Sequence, residues 1–129
     1  MSSYDALPLP TIRPSDALRL LWARFPELSQ QFGDPDDPDP ETPEPHYSYS
    51  LFAEEVLRRK EDKLFLERVC TFINELALSR DSLLEELLAT EVLEGLAQDP
   101  GMAATLYPKI VPEAQETLRA IEREMYGRA

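Results

Sequence analysis

What this 129-residue chain has little of narrows its chemistry first. It holds one cysteine, Cys70, so no internal disulfide can form and nothing points to an oxidising compartment. One cysteine and one histidine, His46, 24 positions apart, cannot supply a zinc site, which needs several such ligands close together. Only four glycines are present, and none falls in a Walker A, G-x-G-x-x-G or G-x-S-x-G pattern. No apolar run approaches the roughly 20 residues that span a bilayer. The opening MSSYDALPLPTIRP lacks the basic and then apolar regions of a secretory signal. A cytoplasmic protein is the expectation. Positive charge is scarce too: 13 Lys and Arg stand against 25 Asp and Glu, for a net charge of −12. That balance argues against nucleic-acid backbones and anionic membranes as partners.

The excess negative charge is not spread evenly. Residues 33–46 hold six acids (Asp34, Asp36, Asp37, Asp39, Glu41, Glu44) and no base. Residues 81–108 hold six more (Asp81, Glu85, Glu86, Glu91, Glu94, Asp99), again with no base. The remainder has 13 acids and 13 bases, so the two segments carry all of the excess.

Period-2 runs of β-branched residues are missing, and the pattern predicts an all-α fold. It reads as a single-domain bundle or short helix-pair stack of five to seven helices, with one long loop rich in proline and acid. Residues 1–14 form an N-terminal extension, 15–127 the helical domain, and 33–46 the loop. Ser15 or Asp16 caps a first helix whose Leu18, Leu21, Trp22 and Phe25 share a buried face. Pro26 restarts a second piece ending at Gly33. Five of the 12 prolines lie between Pro35 and Pro45, which forbids helix or central strand there and favours polyproline II.

Ser48 or Ser50 caps the next helix, with Phe52/Val56 and Ala53/Leu57 paired and a boundary near Glu61. A central helix from about Asp62 to Arg80 carries two adjoining apolar stripes, Phe65–Val69–Phe72–Leu76 and Leu66–Cys70–Ile73–Ala77, wide enough to meet two other helices. Ser82 and Glu85 read as a capping box. Leu84, Leu87, Leu88, Val92 and Leu96 then face inward, and Gly95 marks close packing or an early helix end, because it costs about 1 kcal/mol relative to Ala. Pro100 opens a short helix to Tyr107. Pro112 opens the last, with Ala114, Leu118, Ile121 and Met125 on its inner face and Gly127 as its stop.

Catalytic readings are thin. Counted from Asp34 as a calcium loop, the sixth position is Asp39 rather than Gly and the twelfth is Pro45 rather than Glu. Cys70 lies on an apolar stripe, where a free thiol acts as a small hydrophobe, and His46 reads as a tether for the loop's end. Adjacent carboxylates such as Glu54/Glu55 and Glu85/Glu86 point in different directions on a helix and read as solvated faces. Neither an enzyme nor a cofactor or metal site is expected. The expected contact residues are Asp34, Asp36, Asp37, Asp39, Glu41 and Glu44 in the loop, Glu86, Glu91 and Glu94 on the later helix, and Tyr47 and Tyr49 as exposed aromatic anchors. Together they point to a basic protein partner. A structural module that pairs with its own copy is the alternative.

Three stretches carry a resemblance: LWARFPELSQQF (Leu21 to Phe32), PHYSYSLFAEEVLRR (Pro45 to Arg59) and LYPKIVPEAQETLRAIERE (Leu106 to Glu124). They resemble a family of small uncharacterised bacterial all-helical proteins with an R-F-P-E-L opening, similar to toxin-immunity-type proteins. The resemblance covers about residues 16 to 126 and implies a noncatalytic immunity protein or antitoxin that sequesters a basic toxin or effector.

Overall fold

The computed structural model describes residues 12–32 and 45–128, with the side chains of 30–32 outside the description. Seven helices follow one another, and no strand occurs among the described residues. They are α1 (Pro14–Arg24), α2 (Pro26–Phe32), α3 (Pro45–Arg58), α4 (Lys63–Ala77), α5 (residues 82–96), α6 (Pro100–Leu106, continued by a 3-10 turn at Tyr107–Lys109) and α7 (Pro112–Tyr126). The all-α architecture is the one the sequence predicts.

Proline sets several starts, since the first helical position needs no N–H donor. Pro14, Pro100 and Pro112 each stand in the first helical turn. The first of these displaces the expected cap: Arg13, not Ser15 or Asp16, is the N-cap of α1. The packed body also reaches back to Ile12, whose N–H donates to Asp81 Oδ2 at 2.7 Å. In α3 the helix begins at Pro45, so Ser48 and Ser50 lie inside it, and the Ser50 hydroxyl bonds back to Tyr47 O. Side-chain caps do occur elsewhere: Asp62 accepts from Phe65 N, and Asp99 from Gly101 N and Met102 N. The cap of α5 is Asp81, accepting from Leu84 N at 2.9 Å, which moves Ser82 from the expected cap to the first helical position. Between α4 and α5 the helix stops at Ala77, three residues before the expected end, and Arg80 takes a left-handed φ of 58° to turn the chain.

The core is centred on aromatic rings from three elements. Phe25, at the α1–α2 break, lies 4.7 Å from Phe52 of α3 and 5.5 Å from Phe72 of α4, and Tyr49 stacks on Phe72 at 6.1 Å. Tilted and edge-on ring pairs of this kind add to simple burial. Both stripes of α4 are buried as far as Ile73 and Leu76, with Ala77 partly covered. On α7 the inner face is Ala114, Leu118 and Ile121; Met125 is 54% exposed, against expectation. Tyr126, one position on, takes the contact instead, packing on the core while its hydroxyl donates to Glu94 O. No helix among the described residues is long and apolar enough to cross a membrane.

Candidate functional site: an acidic groove between α3 and a π-turn

Helix α5 is not uniform. Its first part, Ser82–Leu87, and its last, Glu94–Leu96, are α-helical, but Leu88–Leu93 is a π-helix. Such wide turns close i→i+5 hydrogen bonds and bring residues five apart towards one face. In an α-helix, residues five apart point about 140° away from each other. The π-turn therefore gathers Glu86 and Glu91 on one side of α5, and both meet His46 in the first turn of α3. His46 Nε2 is 2.9 Å from Glu86 Oε2, and Nδ1 is 2.9 Å from Glu91 Oε2.

Below His46 the two helices nearly touch. A Cβ built on Gly95 would stand 2.9 Å from Ala53 Cβ, so the glycine is required by close approach, as its place in the sequence suggested. The helix also ends one residue later, at Leu96. A groove of about 240 Å³ runs over this crossing, with Ala53 and Gly95 among its lining residues. Its α3 wall includes Ser50, Glu54 and Leu57, and its α5 wall includes Thr90, Glu91 and Glu94. Tyr126 lines it too, and no lysine or arginine does. Tyr47, 62% exposed, is one turn before Ser50 and so extends the α3 wall at its upper end.

The expected contact residues divide as follows. Glu86, Glu91 and Glu94 come together along the groove and the clasp above it. Tyr47 is exposed, but Tyr49 is fully buried and is not a surface anchor. Two positions apart on a helix, the tyrosines point to different faces. The Tyr49 hydroxyl donates to Ala17 O at 2.8 Å, and burial pushes its phenol well above the ordinary range. Asp34, Asp36, Asp37, Asp39, Glu41 and Glu44 lie outside the described residues. The segment that carries them rejoins the described fold at Pro45, next to His46 and its two carboxylates.

The other acids of residues 81–108 have different work. Asp81 is buried as the cap of α5. Asp99 caps α6, and the Met102 and Gly101 amides, with Lys60 at 3.5 Å, hold its carboxyl below the usual range. Glu85 points to a separate hollow shared with Glu113. Sequence reasoning missed Glu54, which it read as solvated; its place seven residues after Tyr47 was the available sign. Its neighbour Glu55 is buried instead, pairing with Arg58 and Arg59 at 3.1 and 2.7 Å.

A larger hollow, about 440 Å³ and lined by both signs of charge, lies between α1 and α4. Its guanidiniums are already committed: Arg24 makes a two-bond pair with Glu75 (2.9 and 2.7 Å) and Arg68 one with Glu27 (2.6 and 3.0 Å). Phe25 and Phe72 beneath it are 0% and 1% exposed, so it offers almost no aromatic surface. Cys70 is buried, and burial pushes its thiol up, away from the thiolate a nucleophile requires. Both ring nitrogens of His46 are taken by carboxylates. Among the described residues no group of three or more His, Cys, Asp or Glu has the arrangement to hold a metal ion. Compared with known proteins, the chain matches no family model, no curated protein and no solved structure.

Proposed function

We propose that this is a noncatalytic binding protein that captures a basic protein partner along the α3–α5 groove, most concretely an immunity protein or antitoxin that sequesters a basic bacterial toxin or effector. The observation that carries the reading is the collection of Glu54, Glu91 and Glu94 along one groove with no lysine or arginine among its described lining residues, with Glu86 joined to Glu91 through His46. Four exposed or partly exposed carboxylates around one imidazole create a negative field that speeds the approach of a cationic surface and rejects anionic ones. Tyr47 at the upper end offers an aromatic face against which a partner's arginine can stack. Residues 33–44, which precede Pro45 in the chain, add six more acids in sequence.

The test is capture from lysate of the native host, comparing wild type with Glu54→Lys/Glu94→Lys at low and high salt. A stoichiometric basic protein held by wild type, and bound at least tenfold more weakly by the variant at low salt, is the expected result; tenfold corresponds to about 1.4 kcal/mol. Equal retention by both proteins would remove the groove from the interface.

A further inference from the structure

His46 is the only histidine of the chain, and both of its ring nitrogens face carboxylates at hydrogen-bond distance. A neutral imidazole has one N–H and one lone pair. It could donate to Glu86 or to Glu91, but its lone pair would then face the other carboxylate at 2.9 Å, where two acceptors repel. The imidazolium suits both: Nδ1–H donates to Glu91, and the ring's positive charge lies 2.9 Å from Glu86 through Nε2. We propose that His46 is a proton-operated clasp: charged, it fastens the first turn of α3 to the π-turn of α5; neutral, it releases one of the two carboxylates to solvent.

The surroundings favour this reading. From α5, Glu86 and Glu91 face the ring; Glu54 of α3 and Glu94 of α5 stand further along the groove and add negative potential. From α1, which also packs on α3, the charges near its start are spent on one another, Asp16 lying 4.0 Å from Arg13 and 3.3 Å from Arg19. Among the described residues, no lysine or arginine pairs with Glu86 or Glu91. The clasp also depends on the π-turn, since an α-helical course through residues 86–91 would carry one carboxylate away from the ring.

Histidine changes charge between about pH 5 and 8. Loss of the imidazolium proton removes one positive charge from beside Glu86 and Glu91. The link to capture rests on the reading above: a partner's cation would take the imidazolium's place, so capture tightens with pH. The clasp itself needs no partner and is tested without one. Chain free of any histidine tag, labelled with 15N and 13C, is followed by NMR from pH 5 to 8.5. The expected result is protons on both ring nitrogens at the acid end. The Glu86 and Glu91 carboxyl carbons and the amides of residues 46–49 and 86–91 should shift in the same step as the ring. In Glu86→Gln/Glu91→Gln those amide shifts should be lost. A wild-type ring that titrates while the two carboxyls and these amides stay still would overturn the clasp, as would equal amide shifts in the double variant. Capture is tested at Glu54 and Glu94, away from the ring, so the two ideas fail separately.

Discussion

On the face built by α1, α2 and α4, Glu27 and Glu75 each meet a guanidinium in a two-bond pair, and Arg68 also donates to Arg24 O and lies over the Phe25 ring at 4.9 Å. Between α3 and α5, Glu54, Glu91 and Glu94 line a groove with no lysine or arginine among its described residues, and Glu91 shares one imidazole with Glu86. The first face uses charge to fix geometry, because a planar guanidinium holds a carboxylate in register. The second sets like charges side by side with a single imidazole between two of them, which raises the electrostatic energy of the folded chain. Carboxylates paired with guanidiniums and carboxylates left with one imidazole among them are thus distinguished by their neighbours, not by their number.

The sharpest way to break this contrast is to spoil the groove's walls from below. Gly95→Val places a branched side chain where even a Cβ would stand 2.9 Å from Ala53 Cβ. Helix α3 must move off α5, at a cost of about 2–3 kcal/mol in chemical denaturation. A cost near zero would mean that the crossing is loose and that the groove has no fixed shape.

The contrast itself is read by exchanging one residue on each face. Arg68→Ala removes a two-bond pair, a carbonyl bond and a ring contact together, and should cost about 1–2 kcal/mol. Glu94→Gln in the groove should change stability by no more than about 0.5 kcal/mol, because its side chain makes no ion pair among the described residues. Equal losses from the two substitutions would erase the distinction between the faces.

Much of the fold was legible in the sequence because burial follows period 3.6: Leu18, Leu21, Trp22 and Phe25, both α4 stripes, and Ala114, Leu118 and Ile121 all face inward. Pro26, Pro100, Pro112 and Gly127 act at the positions where their backbone limits place them. The caps were less legible, since Asp81 and Ser82 are both good capping types and only the structure shows which one accepts the Leu84 amide. The site was half legible. Base-free residues 81–108 pointed to Glu86, Glu91 and Glu94, yet nothing in composition says that Glu91 turns back towards Glu86. One sign was present: Leu84, Leu88, Val92 and Leu96 recur every four residues, a longer period than an α-helix supplies. The π-turn underwinds the helix and so holds these four closer to one line than an α-helix would. The place of Tyr49 was missed for a different reason. A tyrosine's liking for interfaces is only a tendency, and the backbone carbonyl of Ala17 gives this hydroxyl an interior partner.

The smallest expected effect belongs to the locked face and depends on pH. The hydrogen bond from Arg68 holds the Glu27 carboxyl below its ordinary value, against a smaller opposing effect of burial. A depressed carboxylate means that the unfolded chain binds the proton more readily than the folded one, so stability from this pair rises with pH through the interval between the two values. Its contribution is complete above the unfolded value, about 4.3 for glutamate, and is lost as pH falls through the lower folded value. Glu27 is about one-third exposed, and solvent screening keeps the effect under about 1 kcal/mol. Thermal melting of wild type and Glu27→Gln should therefore differ by a constant amount above about pH 5.5 and converge below about pH 4. Parallel curves for Glu27→Gln down to the acid limit would mean that the Arg68 pair does not hold in solution, and the contrast between locked and open carboxylates would go with it.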